Sequence, residues 1–203
     1  ISLAVNADSI ATWFLGAITP ILKNNLVELD FIVKNEYHSI EALRSGQATG
    51  AVSCIAKALP GYQSFKLGDM TFILVCSPEF EKRYFPDGIN NESLRSAPGM
   101  SFDTNDDMLI KFIEQYFDIK SDDYYCHRVH SSQAFVELAK RGAAYCLAPT
   151  LQIEHELASG ELINLAPDKS IIMTLYWHSW VLVQGIHKKI SKEIVRYAQS
   201  VLG

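Results

Sequence analysis

The feature that most constrains this fold is a regular alternation of strand-like and helix-like segments. Buried strand patterns at Ile1–Ala7 and Gly50–Ile55 bracket an amphipathic stripe over Thr12–Lys23, a strand with one polar face at Val27–Val33 and a short helix at Ser39–Ser45. Chains that alternate in this way build parallel strands covered by helices. The sequence therefore predicts an α/β fold.

A second alternation follows residue 70. The predicted elements are a strand Thr71–Ser77, helices Pro78–Phe85, Asp107–Phe117, Ser132–Arg141, 150–160 and Ile186–Leu202, and strands Gly99–Asp103, Tyr124–Val129, Ala143–Ala148 and Ile171–Trp180. In each half, a serine opens a helix, a glycine closes it and a cysteine-bearing strand follows. This similarity between the two halves indicates either two α/β lobes or only the order of elements that α/β chains share in general. In such folds, ligands bind beyond the carboxyl ends of the strands.

Charge and composition exclude several classes of protein. Eighteen Lys and Arg residues against 23 Asp and Glu residues give a formal net charge of −5. A free-standing nucleic-acid binder normally carries a basic face, so we expect no DNA contact from these residues. No apolar run approaches the ~20 residues of a membrane-spanning helix, and we expect no membrane association.

The cysteines and the first residue bear on the cellular compartment. Cys54, Cys76, Cys126 and Cys146 are too widely spaced for a zinc site, and each lies in an apolar run. We interpret them as small buried hydrophobes in a reducing compartment, which favours the cytoplasm. The chain opens at Ile1 in a strand, which indicates either a removed signal peptide or a fragment of a longer chain.

Motifs for catalysis and metal binding are missing from the sequence. It contains no glycine-rich nucleotide fingerprint, phosphate loop, nucleophile elbow or zinc-protease helix, so we expect neither an enzyme nor a cofactor. The acidic run at Asp103 has the spacing of a calcium loop, but Met108 stands where that loop requires glycine. His127 and His130 would point to opposite faces of a strand. We therefore expect no metal site.

Polar residues at two predicted helix starts are candidate ligand groups. Asp8 and Ser9 follow the first strand, and Ser131 and Ser132 follow Tyr124–Val129. A helix N-terminus offers unpaired N–H groups and a positive dipole end, which attract a carboxylate. Plain helix capping by these residues is an equal alternative. The acidic cluster that begins at Asp103 is likewise either a cap or a group that binds a cationic ligand.

Sequence blocks spread over nearly the whole chain resemble one family. They are LAVNADSIATWFLGAI at Leu3–Ile18, GAVSCIAKALPGY at Gly50–Tyr62, KRYFPDGI at Lys82–Ile89, SFDTNDDM at Ser101–Met108, HSSQAFVELAKRG at His130–Gly142 and LQIEHELASGELINLAP at Leu151–Pro167. The chain resembles the effector-binding domain of LysR-type transcriptional regulators, in the branch that responds to lysine and arginine. The resemblance implies a fold like that of type 2 periplasmic binding proteins, with two α/β lobes joined by two crossover strands. Lobe I would cover about 1–70 and 172–203, lobe II about 71–171, and the crossovers would be Thr71–Ser77 and Ile171–Trp180.

The resemblance also implies a ligand and its contacts. The effector would be L-lysine or L-arginine, bound in the cleft between the lobes and controlling genes of basic amino acid export and metabolism. The implied effector-binding residues are Asp8, Ser9 and Thr12 in lobe I, and Asp103, Asp106, Ser131 and Ser132 in lobe II. Serines and helix starts suit the α-carboxylate, whereas Asp103, Asp106 and Asp8 suit the cationic groups.

Partners follow from the same resemblance. The family pairs as a homodimer, possibly a tetramer in the full-length protein, with the first helix, here Thr12–Lys23, against lobe II of the partner. DNA would be bound by an N-terminal winged helix-turn-helix that this chain does not contain. An alternative class is an extracytoplasmic solute-binding protein for a polar amino acid, which would have the same lobes behind a signal peptide.

Overall fold

The computed structural model describes residues 1–24, 27–117 and 125–203. These residues form two compact units. Unit 1 comprises Ile1–Met70 and Met173–Gly203, and unit 2 comprises Thr71–Ile172. Both boundaries fall inside long strands, so the chain passes between the units twice in extended conformation.

Unit 1 is a mostly parallel sheet with helices. Its elements are β1 (Ser2–Val5), α1 (Ala7–Ser9), a π-helical segment (Ile10–Phe14), α2 (Leu15–Asn24), β2 (Asp30–Val33), α3 (Ser39–Arg44), β3 (Gly50–Ser53), the first part of β4 (Tyr62–Cys76), most of β9 (Ile171–Trp180) and α9 (Gly185–Leu202). The strand order is β2-β1-β3-β9-β4. Strand β1 pairs in parallel with both β2 and β3, and β9 runs antiparallel to β3.

Unit 2 contains the remaining elements. They are α4 (Pro78–Tyr84), α5 (Asn91–Ser96), β5 (Gly99–Ser101), α6 (Met108–Phe117), β6 (Cys126–Arg128), α7 (Ser132–Lys140), β7 (Cys146–Pro149), α8 (Thr150–Ser159) and β8 (Ile163–Asn164). Strands β5 and β6 pair in parallel, and the second part of β4 pairs antiparallel with β7 and β8. The predicted strand residue Tyr124 lies outside the described residues.

Each unit has its own hydrophobic core. In unit 1, Ala4 of β1 and Ala51 of β3 pack against Ile40 and Leu43 of α3. In unit 2, a larger cluster joins β4, β5, β7 and helices α7 and α8; it includes Val75, Met100, Val136, Cys146 and Ile153. Burial of this apolar surface is the main force that holds the strand ends, and hence the polar residues beyond them, in place.

The start of the first helix differs from the prediction. Asp8 and Ser9 do not cap it, because helical conformation already begins at Ala7 and the N-cap residue is Asn6, whose side chain makes no capping hydrogen bond. The π-helical segment Ile10–Phe14 then widens the turn, which shifts later side chains around the axis. Ala17, Ile18 and Ile21 of the apolar stripe are buried, whereas Leu22, also an apolar residue of that stripe, is 46% exposed.

Three smaller expectations also need correction. Ser39 lies inside α3 and donates its hydroxyl to Asn35 O, so that His38 is the N-cap. Strand β4 begins at Tyr62, whereas the predicted strand begins at Thr71. The apolar pattern covers only the second part of the strand, because the polar residues of the first part lie on a partly exposed face. Of the four cysteines, Cys76 and Cys146 are buried as expected, but Cys54 and Cys126 are only half-buried; all four are free thiols.

Candidate functional site

In unit 1, polar groups gather at the carboxyl ends of the parallel strands. Lys34 N, just after β2, donates to Val5 O of β1, 3.4 Å away. Ser53 at the end of β3 donates its hydroxyl to Glu36 O at 2.8 Å. These bonds bring the segments after β1, β2 and β3 to one edge of the sheet, where ligands of α/β folds bind.

Two of the side chains at this edge are buried with unsatisfied polar atoms. Asn6 is 2% exposed and Ser9 is 0% exposed. Neither the amide nitrogen nor the amide oxygen of Asn6 has a hydrogen-bond partner among the described residues, and the Ser9 hydroxyl has none either. Buried polar groups are nearly always paired, and leaving one unpaired costs about 1–3 kcal/mol. Asn6 and Ser9 therefore have polar atoms that are free to bond a polar ligand at this edge of the sheet.

The other two predicted residues of this turn are Thr12, whose hydroxyl is already hydrogen-bonded, and Asp8, whose side chain is half-buried. Thr12 donates its hydroxyl to Asp8 O at 2.6 Å, so this hydroxyl supports the helix start. The Asp8 side chain is half-buried in the first turn. A carboxylate in the first turn is favoured by the helix dipole whether or not a ligand is present.

Glu36 and His178 are ionisable residues of this edge that the sequence analysis did not single out. Glu36 is 4% exposed and is the one buried carboxylate in the part of the chain that the structure describes. Burial, together with the nearby Glu36 carboxylate, raises the pKa of the Cys54 thiol to about 11. His178 of β9 is fully buried and contacts Ile55 O through Nε2 at 2.7 Å. Burial lowers the pKa of His178, against the raising effect of that hydrogen bond.

In unit 2, the loops after β5, β6 and β7 meet in a similar way. Val129 N donates to Ser101 O at 3.0 Å, which ties the end of β6 to the end of β5. The rings of Phe102 and His130 pack edge to face with centroids 5.4 Å apart. These contacts bring the segment that contains Asp103 and Asp106 next to the start of α7.

The two acidic candidates, Asp103 and Asp106, differ in how many of their carboxylate oxygens already accept a hydrogen bond. Asp106 accepts from Phe102 N through Oδ2 at 2.7 Å and from Met108 N through Oδ1 at 3.1 Å, so both oxygens support the loop. Asp103 accepts from Asn105 N and Asp106 N through Oδ1 alone. Its Oδ2 has no hydrogen bond to any described residue. Asp103 is therefore better placed than Asp106 to bind a cation.

Both serines at the start of α7 already make hydrogen bonds within the protein. Ser131 is the N-cap residue, and its hydroxyl oxygen accepts from Ala134 N at 3.2 Å. Ser132 is buried and donates its hydroxyl to Gln152 Oε1 of α8 at 2.7 Å. The capping alternative thus describes Ser131 well in this structure, and Ser132 links the ends of β6 and β7.

One cluster in unit 2 has the residue types of a metal site. Ligand atoms of His155, Glu156 and Glu161 lie within 4.8 Å of one another. Lys140 Nζ, however, lies 3.5 Å from Glu156 Oε1 and 3.6 Å from Glu161 Oε1, so a cation already neutralises these carboxylates. The cluster is better explained as an ion-pair network that joins α7 to α8.

Asn6 and Glu36 were missed for an identifiable reason. The site predicted from the sequence includes the charged and hydroxyl residues after β1, but neither Asn6 itself nor the segment after β2. Asn6 within VNADS and Glu36 after VELDFIV also occupy strand-end positions, where ligands of α/β folds bind. Their burial, however, is a tertiary property that the sequence pattern does not give.

Comparison with known proteins defines the class. The model of the LysR substrate binding domain matches residues 2–180 of this chain. The C-terminal domains of a LysR family protein from Agrobacterium tumefaciens str. C58 have a similar structure, with a TM-score of 0.93 and 29% identity, covering 100% of this chain and 97% of that one. The chain therefore belongs to the LysR family and has the mixed α/β effector-domain fold, which is like that of type 2 periplasmic binding proteins.

Within this family, the chain is similar to ArgP. The HTH-type transcriptional regulator ArgP of Photobacterium profundum is 43% identical over 202 residues, which are 100% of this chain and 68% of that protein. The structure of the full-length LysR-type transcriptional regulator (LTTR) LysG from Corynebacterium glutamicum, with bound effector Arg, is also similar to this chain. Its TM-score is 0.89 and its sequence identity 26%, and the match covers 98% of this chain and 68% of LysG.

These similarities confirm the predicted family, the fold class and the function of an effector-binding domain of an ArgP-like LysR regulator. They also confirm that the chain is a regulator domain and not an enzyme, and they decide against the solute-binding alternative. Among the described residues, no helix has the length and apolar character needed to cross a membrane.

Proposed function

We propose that this domain binds L-arginine or L-lysine as the effector of a LysR-type regulator, with no other cofactor. The observation that carries the proposal is the pair of buried, unpartnered side chains Asn6 and Ser9 at the carboxyl end of β1. The arginine bound to the relative LysG supports the class of ligand. An amino acid offers both acceptors and donors, and therefore complements an amide and a hydroxyl together.

The groups of unit 1 suit the α-amino and α-carboxylate ends of such a ligand. Ser9 and the N–H groups at the start of α1 donate to the carboxylate, and Thr12 lies in the same turn. Asp8 and the buried Glu36 are the carboxylates that would stabilise an ammonium group. Charge-assisted hydrogen bonds of this kind are roughly twice as strong as neutral ones.

The groups of unit 2 suit the cationic side chain. Asp103 offers the open oxygen Oδ2, and Asp106 adds negative charge in the same loop. Ser131 and Ser132 would contribute hydroxyl oxygens near the start of α7. A planar guanidinium pairs with a carboxylate through two N–H donors, whereas an ammonium binds as a point charge, so arginine and lysine place different demands on this loop.

Isothermal titration with L-arginine, L-lysine and L-citrulline tests the ligand class. Citrulline has the shape of arginine without its charge. We expect arginine or lysine to bind at least ~10-fold more tightly than citrulline, because a hydrogen bond to a charged group contributes about 1.5–3 kcal/mol. Absent binding of all three ligands, or equal binding, would contradict the proposal.

The variant Asp103→Asn tests the unit 2 contacts. Asparagine keeps an acceptor for the loop hydrogen bonds but removes the charge, so we expect arginine and lysine affinity to fall by roughly 10–100-fold with little loss of stability. The matched control is Asp107→Asn in the same loop. Asp107 is exposed and pairs with Lys111 at 2.8 Å, and its loss should leave affinity unchanged. Equal effects of the two variants would show that Asp103 makes no specific contact.

We further propose the setting of the domain in its whole protein. A winged helix-turn-helix on the same polypeptide would bind DNA in the cytoplasm, and the two units correspond to lobes I and II of the family. Two copies of this domain would pair into a homodimer, and the effector would act by binding one dimer arrangement more tightly than another. The expected readout is a shift in promoter DNA affinity on addition of arginine or lysine to the whole regulator.

A further inference from the structure

Unit 1 contains a second concave region, away from the strand ends described above. It is a cavity of about 480 Å³ formed by α9, the first part of β4 and the segment that follows β9. Its lining includes Phe65, Val181, Val183, Lys188, Lys192 and Arg196. The volume falls in the range of small-molecule sites, which is about 300–1,000 Å³.

The charges in this cavity are all positive among the described residues that line it. Lys188 and Lys192 stand one turn apart on α9, and neither has an ion pair with a described residue. Arg196, a further turn along, pairs with Glu193. Like charges four residues apart destabilise a helix. An anion placed between Lys188 and Lys192 would remove this repulsion.

The rest of the lining is suited to an apolar body. Phe65 is 39% exposed and Val181 is 50% exposed, although both are large hydrophobic residues. The cavity has the volume of roughly 16 water molecules, so an inorganic anion alone would leave most of it filled with solvent. Ser191 lies on the cavity wall and is 8% exposed, and its hydroxyl makes no hydrogen bond to a described residue.

We propose that this cavity is a second ligand site, which takes a small amphipathic organic anion such as an aromatic carboxylate. The carboxylate would bind Lys188 and Lys192, and the ring would cover Phe65, Val181 and Val183. The charge and the apolar wall together argue against a basic amino acid here, because its cationic side chain would face the lysines. The site is independent of the proposed arginine or lysine site.

The test is titration of the 203-residue chain with 2-naphthoate, followed by fluorescence and by two-dimensional NMR. The neutral 2-naphthamide and the cationic 2-naphthylmethylamine have the same ring and serve as ligand controls. The site variant is the double change K188Q/K192Q, which alters two exposed side chains and should not disturb folding. The matched control is K189Q, because Lys189 is exposed on the same helix but does not line the cavity.

We expect 2-naphthoate to bind at least ~10-fold more tightly than the amide, and K188Q/K192Q to remove this preference while K189Q keeps it. Arginine and lysine binding should be the same in all three proteins, which separates this proposal from the failure of the effector proposal. Absence of 2-naphthoate binding up to millimolar concentration, an equal loss in K189Q, or displacement of 2-naphthoate by arginine would overturn it. A change of molecular mass in K188Q/K192Q would show instead that the surface binds a second copy of the chain, and would also overturn it.

Discussion

Buried serines in this protein fall into two groups according to whether their hydroxyls have partners. Ser9 is 0% exposed and its hydroxyl is unpartnered among the described residues, whereas Ser77 caps α4 by accepting from Phe80 N at 3.2 Å. A paired serine stabilises the fold. An unpaired one costs stability, unless a ligand supplies the missing hydrogen bond.

Ser9→Ala is therefore expected to separate stability from binding. Removing an unsatisfied buried hydroxyl should leave the free energy of unfolding of the ligand-free chain unchanged or raise it by up to about 1–3 kcal/mol, while arginine or lysine affinity falls roughly 10-fold. Ser77→Ala should do the reverse, losing about 0.5–2 kcal/mol of stability with unchanged affinity. Urea denaturation and calorimetric titration measure both quantities. A Ser9→Ala protein that loses stability but binds normally would mean that Ser9 is structural.

His178 predicts a pH dependence of stability. Burial holds the pKa of His178 below its ordinary value in the folded chain, so protonation favours the unfolded chain. Its contribution is fully present above about pH 6.5, the unfolded value, and is lost as pH falls through the lower folded value. Below pH 6.5, the wild-type free energy of unfolding should fall more steeply than that of His178→Gln, by up to about 1.4 kcal/mol per pH unit.

The control for this experiment is His155→Gln, because His155 is exposed on α8. Urea denaturation at several pH values between 5 and 7.5 gives the slopes. If the His178→Gln and His155→Gln proteins show the same pH dependence as wild type, the burial of His178 does not control acid stability.

At the scale of secondary-structure elements, close approach of β4 to the end of α9 depends on one glycine. Gly68 in β4 has a φ of +142°, and a Cβ atom there would overlap the carbonyl oxygen of Leu202 in α9. Both the backbone conformation and the contact exclude a side chain. The residues next to Gly68 in the sequence give no sign of this, since the constraint comes from a helix more than 130 residues away.

Gly68→Ala is expected to destabilise unit 1 by about 2–5 kcal/mol, since backbone strain and overpacking act together. Gly46→Ala provides the control. Its φ is +71° but no atom lies within 4 Å of the added Cβ, so strain alone applies and the loss should be about 1–2 kcal/mol. Thermal or urea unfolding of both variants gives the comparison. Equal losses would mean that α9 moves away without cost.

Elements with a clear apolar period were predicted well. Strand β9 has the predicted bounds Ile171–Trp180, and α7, α8 and α9 begin and end within about one residue of expectation. Predictions failed at the first helix, because no apolar pattern signals the extra residue of a π-helical turn. The cap predicted at Asp8 and Ser9 is misplaced because the helix already begins at Ala7, before the π-helical turn.

At the scale of the whole molecule, the exposed apolar side of the first helix bears on assembly. Leu15 is 48% exposed and Leu22 is 46% exposed on α2, and Val33 is 47% exposed on β2, the terminal strand of its sheet. Leu15 and Leu22 are seven residues apart and so lie on one face of α2, and exposed apolar residues on one face are suited to an interface. This surface includes the helix for which the family resemblance implies a dimer contact.

Leu22→Lys is therefore expected to weaken the proposed homodimer without unfolding the chain, because Leu22 is 46% exposed and a lysine at this position can reach solvent in the separate chain. Sedimentation equilibrium should give a dissociation constant raised at least ~10-fold, as a buried lysine charge without a partner is costly. Val201→Lys, a change of a 37% exposed residue on α9, should leave the dissociation constant unchanged. A Leu22→Lys protein that stays dimeric would locate the interface elsewhere.

The sequence by itself determined the α/β alternation, the family and the segments where ligand groups lie, because hydrophobic period and strand-end position are local properties. It named Asp103 and Asp106 together, but only the tertiary structure separated them, through the backbone N–H groups that use both oxygens of Asp106 and leave Oδ2 of Asp103 open. Burial of Asn6, Ser9, Glu36 and His178 was likewise decided by tertiary packing. Whether a polar group is buried, and whether it has a hydrogen-bond partner, depends on residues distant in the chain. Burial and partnering together distinguish a group that can bind a ligand from a helix cap.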